Sequence, residues 1–157
     1  GQYRVAEGFL DVAESFGTAE VIALGGSPTG EMVEEYTVVG AVTAPDQRDR
    51  LADAGVEFRE GEPAGGIVGT SGLLLGLGAR RGLPAACLMG ETSGYLVDPR
   101  SAQAVLEVLQ EILGFDVDFG TLEDRAEELQ AVIREFQEQQ GGGMEAAPSD
   151  EDLRYIG

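Results

Sequence analysis

The stretch GGIVGTSGLLLGLGARRGLPAACLM, residues 65–89, decides the fold class of this chain. Its spacing predicts a strand over residues 66–68, a glycine turn over residues 69–72 and a close-packed helix over residues 73–81. The apolar run PAACLM, residues 84–89, predicts a second buried strand. Strand, turn, helix and strand in this order are typical of a parallel sheet with helical crossovers. We therefore predict an α/β fold, a three-layer sandwich around a mostly parallel sheet.

The same alternation continues on the N-terminal side of this stretch. Apolar residues at helical spacing predict a helix over residues 6–16, which ends at Gly17. Residues 20–24 (EVIAL) predict a buried strand that stops at the two glycines after it, and residues 36–44 form a second β-rich run. These elements fit the α/β prediction.

Two further helices are predicted from their first residues. Pro45 is expected at the first position of a helix that ends before Gly55, because proline is favoured there. Asp98 is expected to cap a helix that has Pro99 at its first position and runs to Leu113.

The chain is predicted to have three parts. Residues 1–120 form the α/β core, residues 121–140 an amphipathic acidic helix, and residues 141–157 a flexible linker with a C-terminal docking tail. The apolar stripe of the acidic helix could pack on its own domain or pair with a helix of another subunit. Both alternatives stay open, because a seven-residue recurrence over one short helix does not define a coiled coil.

The charge of the chain excludes several partners. Ten arginines stand against 29 carboxylates, so the net charge is −19. Nucleic acid is excluded because its binding needs many cations, and anionic membrane surfaces are disfavoured for the same reason. The longest apolar run, residues 66–79, is too short to span a bilayer.

The missing residue types limit the chemistry. The chain has neither histidine nor lysine, and Cys87 is its one cysteine. A histidine-based triad, a Schiff base, a histidine-ligated zinc and an internal disulfide are therefore excluded. We predict no catalytic residues, no metal site and no cofactor, and we interpret Cys87 as a buried small hydrophobic residue.

An acidic composition without lysine predicts adaptation to high salt. At about 1 M salt the Debye length is roughly 3 Å, so repulsion between carboxylates is screened. A merely acidic cytosolic protein is the alternative interpretation.

Two loops are candidate ligand sites, because ligands in open α/β sheets bind beyond the carboxyl ends of strands. In the first loop, backbone N–H groups at the start of a helix could hold an anion, or the glycines could simply allow close packing. In the second, Glu91 could act as a base beside hydroxyl groups, or its carboxylate could cap a turn. The candidate residues are Gly69, Thr70, Ser71, Gly72, Gly90, Glu91, Thr92, Ser93, Gly94 and Tyr95.

The C-terminal tail is the third candidate site. A tethered segment with aromatic and aliphatic side chains can insert anchors into a pocket of a partner, or it can fold back on its own domain. The tail residues are Leu153, Arg154, Tyr155, Ile156 and Gly157.

Several motifs together resemble the archaeal proteasome assembly chaperone family, which has also been grouped with ATP-grasp enzymes. They are the G-x-x-G-x-x-G-L-L region from Gly66, the sequence GETSGY from Gly90, and the D-P-x-S-A start of a helix at Asp98. The resemblance covers residues 19–113, and the acidic helix and tail fit the family's C-terminal layout. Members of the family are longer at the N-terminus, so we expect this chain to be a C-terminal portion whose sheet lacks strands and exposes an edge.

The resemblance implies a non-enzymatic, cytoplasmic chaperone or adaptor that binds the α subunits of the 20S proteasome and forms a homo-oligomer. Some members end in a hydrophobic residue, a tyrosine and any residue, which insert between α subunits. Here Tyr155 is third from last rather than second, which is a departure from that ending. The alternative function is a nucleotide- or phosphate-binding enzyme that uses the two glycine-rich loops.

Overall fold

The computed structural model describes residues 1–61, 66–95 and 98–141. These residues fall into two units, the first running from Gly1 to Phe119 and the second beginning at Gly120. The first unit contains α1 (Gln2–Ser15), β1 (Val21–Pro28), β2 (Val38–Val42), α2 (Pro45–Asp53), α3 (Gly69–Arg81), β3 (Ala85–Thr92) and α4 (Pro99–Leu113). The second contains α5 (Gly120–Gly141).

The three strands form one mixed sheet in the order β1-β3-β2. β1 runs parallel to β3 with Val21 opposite Ala85, whereas β2 runs antiparallel to β3 with Val39 opposite Met89. The predicted α/β class is confirmed, but one parallel and one antiparallel pairing do not make a mostly parallel sheet.

The reason for the mixed sheet lies in the connection between β2 and β3. A single helix between neighbouring strands is the usual route to a parallel pair. Here the chain passes through two helices, α2 and α3, on its way from β2 to β3. Leu51 of α2 belongs to one hydrophobic cluster and Leu75 of α3 to the other. The glycine-rich motif predicts α3 and β3 but carries no signal for the direction of β2.

The strand predicted over residues 66–68 and the turn predicted over residues 69–72 are wrong. Residues 66–68 have no regular structure, and Gly69–Arg81 is helical from its first residue. Ile67 packs partly buried against the hydrophobic cluster that contains Leu75, whereas Val68 is exposed, so this short segment neither pairs in the sheet nor is buried as a whole.

Two strands are longer than predicted. β1 does not stop at its glycines, since Gly25 pairs with Met89 and Gly26 with Gly90. β3 likewise includes Gly90, Glu91 and Thr92, for which the sequence predicts a loop. The two strands extend together because each supplies hydrogen-bond partners to the other along a continuous parallel ladder.

The helices agree better with the sequence. The predicted first helix is α1, and Pro45 and Pro99 begin α2 and α4 as expected. The Asp98 carboxylate accepts a hydrogen bond of 3.2 Å from the Ser101 backbone N–H, which confirms the predicted cap. The acidic helix predicted over residues 121–140 lies within α5.

Each face of the sheet carries a hydrophobic cluster. One is built around Val38, Leu51, Val56, Ala86, Leu88, Val105 and Val108, the other around Ala23, Val39, Leu75, Ala85, Cys87 and Met89. β3 contributes alternate residues to both, as expected for a central strand whose side chains point to opposite faces. α1 in turn packs on α3 and buries Ala6 and Leu10.

No helix within the described ranges has the length and the apolar character that a bilayer-spanning segment needs.

Candidate functional site

The carboxyl ends of β1 and β3 form a pocket together with the start of α3. The pocket has a volume of about 700 Å³. It is lined by residues 25–29 at the end of β1, by Met89 and Glu91 of β3, and by Ile67, Val68 and Ser71 at the start of α3. This is the position where ligands bind in open α/β sheets.

An ion-pair cluster lies at the rim of this pocket. Arg59 Nη1 donates to Glu91 Oε1 at 2.6 Å, and Arg59 Nη2 donates to Glu57 Oε2 at 2.9 Å. The Glu91 side chain is only 16% exposed. Sequence reasoning missed Arg59, because no spacing in the chain relates it to Glu91. The carboxylate of Glu57 two residues before it was the sole local signal.

The first candidate loop contributes one residue to the pocket, Ser71. Gly72 is packed so closely that a Cβ atom there would collide with the Ile67 carbonyl oxygen, which fits the interpretation that these glycines allow close packing. Gly69 begins α3 with φ +78°, a left-handed conformation that favours glycine. No side chain caps α3, whose N-cap residue is Val68.

Within β3, the candidate residues of the second loop point to different places. Glu91 reaches the pocket, whereas Gly90 faces Ser101 and Val105 of α4 on the other side of the sheet. The carbonyl oxygen of Thr92 accepts a hydrogen bond of 2.9 Å from the Thr29 N–H.

Beyond β3 the chain turns away from the pocket. Ser93 is buried, and its hydroxyl accepts a hydrogen bond from the Tyr95 N–H at 3.4 Å. Gly94 has φ +81° and lies against Pro28, and Tyr95 is 77% exposed. Of the ten loop candidates, the structure therefore brings Ser71 and Glu91 together in the pocket.

Cys87 is fully buried, as the sequence predicts. Burial raises the pKa of its thiol to about 11, so the thiol stays protonated near neutral pH. A protonated thiol is a poor nucleophile and a poor metal ligand. Within the described part of the chain, no three histidine, cysteine, aspartate or glutamate residues are grouped so that they could hold a metal ion.

The remaining candidates, Leu153, Arg154, Tyr155, Ile156 and Gly157, lie outside the described residues, as does most of the predicted linker.

Comparisons with known proteins give close relatives. A crystal structure of Pyrococcus furiosus PbaB, described as an archaeal proteasome activator, is 38% identical and has a TM-score of 0.79, over 87% of this chain and 58% of that one. A structure of Pyrococcus furiosus PbaA, described as an archaeal homolog of proteasome-assembly chaperone, is 31% identical and has a TM-score of 0.76, over 88% of this chain and 57% of that one.

An uncharacterized protein of Methanocaldococcus jannaschii is 38% identical over the whole of this chain and 62% of its own length. The chain thus spans about three fifths of the length of these relatives. The model of the PAC2 family matches residues 1–137. These matches agree with the resemblance drawn from the glycine-rich and GETSGY motifs, and the chain belongs to the PAC2 family.

Proposed function

We propose that this chain acts in a non-enzymatic proteasome chaperone or adaptor that docks on the α subunits of the 20S proteasome. The observation that carries the proposal is the likeness to PbaB, an archaeal proteasome activator, at 38% identity and a TM-score of 0.79. The likeness to PbaA, an archaeal homolog of proteasome-assembly chaperone, supports the same role.

The chemistry of the described residues supports a role without catalysis. Among them, Glu91 is the one carboxylate that lines the pocket, and Arg59 is paired with it. Cys87 is buried and protonated. Neither group resembles an activated nucleophile held beside a general base.

The docking element in this proposal is the C-terminal tail together with the surface of the α/β core. Leu153, Tyr155 and Ile156 provide apolar and aromatic anchors, the side-chain types that dominate binding energy at interfaces. At high salt, long-range electrostatic steering is screened, so such short-range contacts carry the binding. The chaperone works in this proposal as a homo-oligomer in a salt-rich cytoplasm.

A pull-down with 20S α-rings at about 1 M salt, where charge repulsion is screened, tests the docking element. Deletion of residues 153–157 is expected to weaken binding by about tenfold or more, as expected when anchor residues are lost. The matched control is the same chain with Leu153 and Tyr155 exchanged, which keeps the composition and charge of the tail but moves the tyrosine.

The position of the tyrosine matters if Tyr155 inserts into a pocket, so the tail with Leu153 and Tyr155 exchanged should bind as weakly as the deleted one. Equal binding by the intact and the deleted chain would remove the tail from the mechanism. If the intact chain itself showed no binding to α-rings, the proposed function would be wrong.

The pocket at the strand ends favours a second candidate function, the binding of a nucleotide or phosphate. Its position, and the presence of Ser27 and Ser71 among the residues that line it, are the supporting observations. Calorimetry with ATP, nucleosides and inorganic phosphate tests this candidate. No heat of binding at millimolar ligand would exclude it, while saturable binding that is lost in Ser71→Ala would favour it.

A further inference from the structure

The pocket at the strand ends takes paired residues from β1 and β3. In the register of these strands, Gly25 pairs with Met89 and Ser27 with Glu91, and all four line the pocket of about 700 Å³. Residues two apart along a strand project to the same face of the sheet, so Met89 and Glu91 lie side by side there. Gly25 contributes no side chain beside them, and this absence leaves part of the pocket open.

The remaining lining is mostly apolar. Pro28, Ile67 and Val68 line the pocket together with Cys87 and Met89, of which the last two are buried in the hydrophobic cluster below. A volume between roughly 300 and 1,000 Å³ and a predominantly apolar lining with a few polar groups are typical of small-ligand sites. The lining therefore fits a ligand with an apolar body and one polar head.

Glu91 supplies an acceptor for such a head. Its Oε1 accepts a hydrogen bond of 2.6 Å from Arg59 Nη1, and its side chain is 16% exposed. Within the described ranges, no hydrogen bond reaches the second oxygen, Oε2. Because a carboxylate has about four acceptor positions, Glu91 can accept further hydrogen bonds from a ligand.

The donors of Arg59 are engaged by comparison. Besides the bond to Glu91, Arg59 Nε and Nη2 both donate to Glu57 Oε2, at 3.0 and 2.9 Å. An anionic ligand would have to compete with these two carboxylates for the same guanidinium group, in a chain whose net charge of −19 repels anions. A cationic ligand meets neither obstacle, so the electrostatics favour a cation at this pocket.

We propose that the pocket binds an organic cation, an aliphatic ammonium or guanidinium group whose charged head pairs with Glu91 and whose carbon chain packs on the apolar lining. Two sources have this chemistry: a free alkylamine, and a lysine or arginine side chain of a partner protein, whose stem packs on apolar surface in the same way. The ligand class differs from the phosphate or nucleotide considered above, and one titration compares them.

The test is a titration of the intact chain, followed by calorimetry or NMR at about 1 M salt. The probes are pentylammonium, pentanol and pentanoate, which share a carbon chain and differ in the charge of the head, together with inorganic phosphate. Pentylammonium is expected to bind saturably and about tenfold or more tightly than the other probes, because a hydrogen bond to a charged group adds to the apolar contact.

Two variants separate the head from the body of the ligand. Glu91→Gln should weaken pentylammonium by about tenfold and leave pentanol unchanged, which a loss of folding would not do. Pentanoate should bind more tightly to this variant, because Arg59 then faces one carboxylate fewer. Gly25→Val should weaken pentylammonium and pentanol alike by filling the pocket; the strand accepts it, since a Cβ atom at Gly25 would lie at an ordinary 3.7 Å from Met89 Cγ.

Leu24→Val is the control for Gly25→Val. Leu24 pairs with Leu88, which belongs to the hydrophobic cluster on the other face of the sheet, so this variant should bind every probe normally. Circular dichroism at the same salt concentration verifies that each variant is folded.

A lysine blocked at both ends, as a further probe, distinguishes the two sources. Tighter binding of the blocked lysine than of pentylammonium would indicate a side chain of a partner protein, and the reverse order a free amine. The proposal would be overturned by the absence of saturable binding of both cations, by pentanoate or phosphate binding as tightly as pentylammonium, or by unchanged pentylammonium binding in folded Glu91→Gln. Proteasome subunits take no part in these measurements, so docking on the α-ring is tested separately.

Discussion

Gly90 lies in β3 at a point where the strand passes directly beneath α4. A Cβ atom at this position would overlap the Ser101 hydroxyl oxygen, and it would lie 2.6 Å from the Ser101 carbonyl oxygen and 3.0 Å from Val105 Cγ2. The glycine therefore sets the distance between helix and sheet. From the sequence alone Gly90 was a candidate ligand residue, but these contacts assign it a packing role.

Gly90→Ala should destabilise the fold by about 1–3 kcal/mol, the usual range for overpacking in a close-packed interior. The measurement is the free energy of unfolding from denaturant titration at high salt.

Gly76→Ala is the matched control, because Gly76 also lies in a regular element, α3, but a Cβ atom added there would meet no other atom within 4 Å. That variant should be neutral or more stable by up to about 1 kcal/mol, since alanine favours helix. Equal stability of the two variants would contradict the packing role of Gly90.

At the scale of elements, α4 begins through a local signal. The Asp98 side chain accepts a hydrogen bond from the Ser101 N–H, and Pro99 occupies the first helical position. The residues of both features lie within three positions of one another, so the start of α4 could be predicted from the sequence. α2 begins in a similar way with Pro45, and the Gln47 side chain accepts a hydrogen bond from the Ala44 N–H at 3.2 Å.

Replacing the cap, Asp98→Ala, should lower the free energy of unfolding by about 1 kcal/mol because one N–H at the start of α4 loses its acceptor. Thermal and denaturant unfolding at high salt provide the measurement. Asp98→Asn is the control, since its side-chain oxygen can still accept the bond, and it should stay within about 0.5 kcal/mol of the unmodified chain. If Asp98→Asn lowered the free energy of unfolding as much as Asp98→Ala, the charge of Asp98, rather than its hydrogen bond, would be what stabilises α4.

The strands were less predictable than the helices. The pattern located β1 and β3 but ended both at glycines, because glycine usually marks a turn or a break in a strand pattern. In the folded chain Gly26 pairs with Gly90, so the ladder continues through residues of low strand propensity. Pairing between distant segments overrides local preference here.

At the scale of the whole molecule, the charge of −19 is the dominant property. Ten arginines cannot neutralise 29 carboxylates, even where they form ion pairs such as Arg81 with Asp11 at 2.7 Å and Arg50 with Glu20. The excess negative charges repel one another, and this repulsion opposes the compact state when it is not screened.

Lowering the salt concentration below about 0.5 M should loosen or unfold the chain, because the Debye length grows toward about 10 Å at 0.1 M. Circular dichroism across a salt titration measures the helical signal directly. A constant signal from about 2 M salt down to about 0.1 M would contradict the prediction of salt adaptation, because screening changes strongly over that range.

Properties that depend on composition or on neighbouring residues were determined by the sequence itself. The net charge and the missing histidine and lysine are read from the composition, and caps and prolines located the helices. The tertiary structure decided what depends on distant segments: the direction of β2, the burial of Gly90 under α4, and the pairing of Arg59 with Glu91 at the pocket. The physical reason is that strand pairing and these ion pairs join residues that are far apart in the chain. A local sequence pattern does not predict which distant residues come into contact.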